Sequence, residues 1–318
     1  MNGWKLFLLT IALSIALIGC SSSAGTGDGT GETDMGDASE SEDKVRVTTT
    51  IGQIADAVQH IGGDRVEVQA IMGPGTDPHV YRASQGDSSK LEEADIIFYN
   101  GLNLEGNMND MFVNMAQSKP VIAVTEQIPE DQLLEVEEGI YDPHVWFDLK
   151  LWQEAVKVIE SRLREIDPDH ADRYAENAAA YLSEIQALHE YIQERVAEIP
   201  EESRMLVTAH DAFGYFGNAY GMEVRGLQGI STDSEYSVND VNAIVDLVTE
   251  HNIKAVFIES SVSEKAIQAV VEGAAAKGHD LTIGGELFSD AMGEEGTEEG
   301  TYIGMIKHNV DTIVDALK

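Results

Sequence analysis

The chain has 318 residues, with 57 Asp and Glu against 20 Lys and Arg and a formal net charge of −37. So acidic a surface repels a phosphate backbone, which excludes a nucleic-acid partner, and it suits a protein kept soluble in salty surroundings. The single cysteine excludes an intramolecular disulfide and a thiolate metal cluster.

Residues 1–19 read as an export signal. Lys5 supplies a short positive start, and Leu6 to Ile18 form an apolar stretch too short to span a bilayer comfortably. The run ends Leu17-Ile18-Gly19-Cys20, which resembles the bacterial lipobox, where cleavage leaves a lipidated cysteine, here Cys20, at the new N-terminus. Residues 20–43 are rich in Gly, Ser, Thr and acid and cannot bury enough apolar surface to offset ordering, so a flexible acidic tether is expected.

From residue 45 strand-like and helix-like runs alternate. Strands are expected at 45–51, 66–72, 94–100 and 120–125, with helices around 53–61, 85–93 and 104–117. This rhythm predicts an α/β lobe with a mainly parallel sheet over residues 44–168. Its last part, 149–166, is amphipathic at helical spacing through Trp152, Ala155, Val156, Ile159 and Leu163. Asp167-Pro168 then reads as a helix start, and a second helix is expected over 169–199, where Pro200 stops it. Its apolar stripe approaches a heptad, but few heptads and Arg195 in the seam argue against a coiled-coil dimer. At 1.5 Å per residue it would reach ~45 Å, long enough to run along two lobes. The βα rhythm restarts over 200–318, with strands expected at 205–209, 224–228, 255–259 and 281–284 and helices near 212–220, 238–251, 264–277 and 302–317. The architecture expected is two α/β lobes joined by one long rigid helix.

Three histidines share a context. Asp77-Pro78-His79 and Asp142-Pro143-His144 are the same tripeptide, and His210 closes the run Leu206-Val207-Thr208-Ala209-His210; each is expected where a strand-like run gives way to a loop. Neutral imidazole is a good ligand for borderline transition metals, and open α/β sheets place ligands at strand ends. Proline stiffens the approach to His79 and His144. Asp77, Asp142 and Asp211 stand close enough in sequence to accept a proton from a ligand ring and orient it. A divalent cation also needs a carboxylate, and Glu259, Glu286 and Asp290 all lie at or after predicted strand ends. Spacing alone does not choose among them. The other histidines (His60, His170, His189, His251, His279 and His308) fall in or near predicted helices and read as surface or packing residues. Trp146 reads as wall packing, and Gly284-Gly285 as a turn.

The lipobox, both Asp-Pro-His segments, Thr208-Ala209-His210-Asp211-Ala212-Phe213 and Leu287-Phe288-Ser289-Asp290-Ala291-Met292-Gly293 together resemble the metal-binding lipoproteins of bacterial ABC transporters, the zinc/manganese solute-binding family. The resemblance covers essentially the whole mature chain. It implies His79, His144, His210 and Asp290 as metal ligands, two on each lobe, and leaves Glu259 and Glu286 as supporting or structural residues. It also implies limited lobe motion, a permease with its ATPase as partner, and a monomer on a lipid anchor at the outer face of the membrane.

Three imidazoles and a carboxylate suit Zn²⁺. In the family, manganese-dedicated members tend to carry a carboxylate where this chain has His210, whereas zinc scavengers tend to carry a His-rich loop where residues 127–141 here have no histidine. The resemblance is therefore to the three-His, one-Asp subgroup, with Zn²⁺ or Mn²⁺ as cargo and Fe²⁺ as a further candidate. The main reading is metal capture without catalysis. A zinc hydrolase with Glu259 or Glu286 as base, and a binder of a larger chelate such as a siderophore, are the alternatives. Because ligand imidazoles must be neutral, affinity is expected to fall as pH drops through about 6.5.

Overall fold

The computed structural model describes residues 44–318. The signal, the tether and Cys20 lie outside the described residues. None of the described helices is long and apolar enough to cross a membrane.

The first lobe runs β1 (Val45–Thr49), α1 (Gly52–Gly62), β2 (Val66–Ala70), α2 (Gln85–Glu93), β3 (Ile96–Tyr99), α3 (Asn109–Met115) and β4 (Val121–Ala123). All pairings are parallel, in the order β2-β1-β3-β4. A small antiparallel pair follows, β5 (Glu135–Glu137) with β6 (Ile140–Tyr141). It was not expected from the sequence, because Glu-Val-Glu-Glu-Gly is acidic and solvent-facing and carries little strand signal.

Two helices then cross the molecule. α4 (Leu149–Ile166) starts at Asp148, whose side chain accepts from the Lys150 amide, and it matches the expected range. The expected helix over 169–199 is shorter: Pro168–His170 form a 3₁₀ turn, and α5 (Ala171–Val196) follows. Its 26 residues span ~39 Å.

The second lobe runs β7 (Met205–His210), α6 (Gly214–Tyr220), β8 (Glu223–Gln228), α7 (Val238–Glu250), β9 (Ala255–Glu259), α8 (Lys265–Ala276), β10 (Thr282–Leu287) and α9 (Tyr302–Leu317). β7 pairs with β8 and β9 with β10, both in parallel, and β7 runs beside β9. The lateral order β8-β7-β9-β10, formed by two hydrogen-bonded pairs lying side by side, thus repeats that of the single sheet in the first lobe. The lobes share a topology as well as a rhythm, and each has a switch point between its first and third strands, where such sheets bind ligands.

Gly284-Gly285 is not a turn but part of β10, with a register shift there. A Cβ on Gly284 would lie 2.8 Å from both the Ala316 Cβ and the Phe257 ring, so glycine lets α9 pack directly on the strand.

One hydrophobic core is continuous from β1, α1 and β3 through α4 and α5 into α9, Phe257 and Leu287. α5 reaches α1 through Asn177 Nδ2 to the Ile61 carbonyl (2.9 Å) and Tyr181 Oη to Asp56 (2.9 Å). Farther along, Arg195 pairs with Asp311 and Asp315 of α9 at 2.8 and 3.1 Å. The arginine that spoils a coiled-coil seam therefore ties the long helix to the second lobe. A second core lies on the other face of β7–β10, under α7 and α8.

Candidate metal centre

His79, His144, His210 and Asp290 are brought together from four separated segments, all buried, with one potential ligand atom of each within 4.8 Å of the others. His79 Nε2 lies 3.2 Å from His144 Nε2. Asp290 Oδ1 lies 3.2 Å from His144 Nε2, and Oδ2 lies 3.3 Å from His210 Nε2 and 3.9 Å from His79 Nε2.

The local contexts differ from the strand-end expectation. His210 is the last residue of β7. His79 lies in the turn-rich loop after β2, well beyond the strand's end at Ala70. His144 stands just after the short antiparallel strand β6, outside the parallel sheet, and precedes a 3₁₀ turn, Val145–Phe147, that leads into α4. Asp290 follows β10, and its segment is pinned through the backbone. Asn309 bonds both the amide and the carbonyl of Phe288 (2.9 and 2.7 Å), Trp146 Nε1 donates to the Ser289 carbonyl (3.1 Å), and Gln53 Nε2 donates to the Asp290 carbonyl (3.2 Å). Trp146 also stands edge-on to the His144 ring at 5.3 Å, so it touches the segments of both His144 and Asp290 and is more than wall. Sequence reading missed Gln53 and Asn309, since neither amide carries a local signal.

Asp142 accepts from the His144 amide (2.9 Å) and from its ring Nδ1 (2.7 Å), presenting Nε2 to the site. Glu259, at the end of β9, does the same for His210, accepting from the amide at 2.7 Å and from Nδ1 at 2.5 Å. The ring partner of His210 is thus a carboxylate from the neighbouring strand, not the adjacent Asp211, which is half-buried to one side and pushed up by burial and by Asp142. Asp77 departs from expectation too. It accepts from the His79 amide (2.9 Å) rather than the ring, and its other oxygen accepts from Thr232 (2.5 Å) in the loop after β8, linking the lobes. Glu286 is exposed on β10, its carbonyl accepts from His308 of α9, and its side chain is not among those gathered at the centre.

The electrostatics follow from burial opposed by charge. Burial alone would lower the His144 pKa, but Asp142 and Asp290 outweigh it and push it up to about 9. His210 is raised well above the ordinary range by Glu259 and Asp290, again against burial. Burial dominates at His79, with the other two imidazoles adding to it, and lowers it to about 4. Burial would raise Asp290, yet the imidazoles around it hold it well below the usual carboxylate range.

His210 Nε2 and both Asp290 carboxylate oxygens are buried without a well-formed hydrogen bond. Buried polar atoms are nearly always satisfied, so three such atoms aimed at one point call for a cation. A tetrahedral zinc with bonds of ~2.0–2.1 Å has donor–donor edges of ~3.3–3.4 Å, close to the short separations found here.

The family model described as zinc-uptake complex component A, periplasmic, matches residues 47–316. The manganese-binding lipoprotein MntA of Bacillus subtilis (strain 168) is 55% identical over 278 residues, covering 87% of this chain and 91% of that protein. The zinc-binding protein TroA of Treponema pallidum (strain Nichols) is 48% identical over 274 residues, 86% of this chain and 89% of that protein. The solved structure of the periplasmic zinc-binding protein TroA from Treponema pallidum aligns with a TM-score of 0.85 at 48% identity, covering 86% of this chain and 99% of that one. With fold, relatives and family match in agreement over nearly all the described residues, the chain belongs to the family of periplasmic A components of zinc-uptake complexes.

Proposed function

We propose that the protein captures a divalent transition metal outside the cytoplasm and hands it to the permease and ATPase of an ABC transporter, with His79, His144, His210 and Asp290 as the ligands. The observation that carries this reading is the convergence of three imidazoles and one carboxylate on a single buried point, with three of their atoms left unsatisfied. Zn²⁺ or Mn²⁺ is the cargo. The imidazoles favour zinc, while both oxygens of Asp290 face inward and offer the extra oxygen donor that Mn²⁺ accepts well. Fe²⁺ fits the same donor set.

Capture is favoured over hydrolysis because neither candidate base is free. Glu259 is committed to His210, and Glu286 is exposed and not among the side chains gathered at the centre. A siderophore is disfavoured by the cleft beside Asp290: its charged lining residues are Asp56, Asp290 and Glu295, which repel an anionic chelate. Several relatives are named metal ABC transporter substrate-binding lipoproteins, which supports a transporter partner and export. On the same basis we read Cys20 as the lipidated residue that holds a monomer at the outer face of the membrane. We take residues 44–168, 169–199 and 200–318 as lobe, bridge and lobe.

Calorimetry tests the ligand set. His210→Ala removes one of four donors and leaves Glu259 buried without its ring partner, so Zn²⁺ affinity should fall by at least ~100-fold. Unchanged binding would remove His210 from the centre.

A further inference from the structure

The two histidines of the first lobe sit on different loops, yet one short segment touches the backbone of both. Asn100 follows β3 and is fully buried; its Nδ2 donates to the Pro143 carbonyl at 3.0 Å, immediately before His144. Asn107 Nδ2 donates to the carbonyl of His79 at 3.1 Å. Between them the chain makes a left-handed turn, with Gly101, Leu102 and Asn103 at φ 88, 51 and 66°. For a leucine that conformation is costly and needs compensation from its surroundings.

Glu105 supplies it. This carboxylate is 2% exposed, with no Lys or Arg among its hydrogen-bond partners. Instead Oε1 accepts from the Thr50 hydroxyl (2.6 Å) and the Asn100 amide (2.7 Å), and Oε2 accepts from the Gly101 amide (3.3 Å). Thr50 follows β1, and Thr125, just past β4, donates to the Asn100 carbonyl at 2.7 Å. The turn is therefore wrapped around a buried acid and anchored to the ends of three strands. A buried carboxylate satisfied only by neutral donors is expensive, which makes it an unusual means of merely closing a loop.

Resting on the capture reading above, we infer that Glu105, Asn100 and Asn107 are positioning residues for the metal: the loop after β3 sets the separation of the His79 and His144 rings. The two rings depend on it unequally. His144 is also held at its ring by Asp142, whereas His79 Nδ1 meets no protein hydrogen-bond partner among the described residues, and His79 itself is held only at its backbone amide, by Asp77, and at its carbonyl, by Asn107. Asn107 therefore matters more to His79 than Asn100 does to His144.

The test uses Co²⁺ as probe on the full chain, with Kd from titration, the visible d–d bands as a report on ligand geometry, and the melting temperature of the metal-free protein. Asn107→Ala, Asn100→Ala and Glu105→Gln should each weaken Co²⁺ binding, by about 10- to 100-fold for Asn107→Ala, and shift or weaken the bands. Val248→Ala, in the separate core under α7, is the comparison: it should lower the melting temperature and leave Kd and bands as in wild type. Because Asn107 is exposed, its truncation should leave the fold intact and keep the test decisive if Glu105→Gln does not fold. Wild-type Kd and spectrum in Asn107→Ala and Asn100→Ala would overturn the inference and leave the capture reading standing. A wild-type chain that binds no Co²⁺, Zn²⁺ or Mn²⁺ would overturn both.

Discussion

His144 and His210 each carry a carboxylate on the ring nitrogen facing away from the centre, while Asp290 faces both from inside. In the metal-free protein this arrangement favours the protonated form of both imidazoles. A metal must expel those protons before it binds, so the carboxylates that orient the rings also set the pH at which the centre opens. The sign is fixed by the direction of the shifts. His144 is raised to about 9 and His210 is raised well above its ordinary value, so protons compete above the ordinary histidine range; His79, lowered to about 4, does not compete at neutral pH. Zn²⁺ affinity should therefore fall on acidification from about pH 8, by roughly ten- to hundredfold per unit, with about one to two protons released per ion. Calorimetry in buffers of different ionisation enthalpy measures both quantities. An affinity that is flat from about pH 8 down and begins to fall only near 6.5 would mean that the carboxylates do not raise these rings.

At the scale of elements, α1 and α5 are joined by a small polar seam that titrates. His60 stacks on Tyr181 with ring centroids 4.4 Å apart, and both side chains meet Asp56. The hydrogen bond to Asp56 raises His60 to about 9 against partial burial. A histidine raised in the folded state stabilises fully below its unfolded pKa of about 6.5, and the contribution is lost as pH rises through about 9. With 39% of the side chain exposed, solvent screens the pair, and a gain of ~1 kcal/mol or less is expected. His60→Gln should thus lower the metal-free melting temperature at about pH 6 and converge with wild type above about pH 9.5. A difference that does not change with pH would place the effect in stacking alone. How much of this was legible in the sequence depended on whether a signal was local. α4 and α9 could be read to the residue because their apolar stripes and start signals lie within each segment. His210 could be read because a largely apolar strand, Met205 to Ala209 with only Thr208 polar, ends on it. Glu259 as its ring partner could not, since the neighbourhood of β7 and β9 is a tertiary fact. The helix expected over 104–117 shrank to Asn109–Met115 for a related reason: Leu104 and Glu105 fit a helical pattern, but the left-handed turn around the Glu105 carboxylate displaces it.

For the whole molecule, the candidate metal centre gathers loops and strand ends of both lobes, whose strands follow the same lateral order, yet the lobes are not separate bodies on a hinge. One core runs through both, and the long helix is hydrogen-bonded to α1 near one end and ion-paired to α9 near the other. Opening the cleft as a hinged binder does would expose apolar surface along that core, at ~25 cal/mol per Å². The cheaper change is local, in the loops that carry His79 and Thr232, where the Asp77–Thr232 hydrogen bond crosses between the lobes. Spin labels separate the two cases. In a Cys20→Ser background, Val113→Cys on α3 and Val238→Cys on α7 place labels on opposite lobes at positions 67% and 77% exposed. Their distance distribution should move by less than about 1 Å when Zn²⁺ is added or stripped, whereas a label on the 231–235 loop should change its mobility. A several-ångström shift between the α3 and α7 labels would mean that the shared core breaks on release, and that α5 is a hinge rather than a brace.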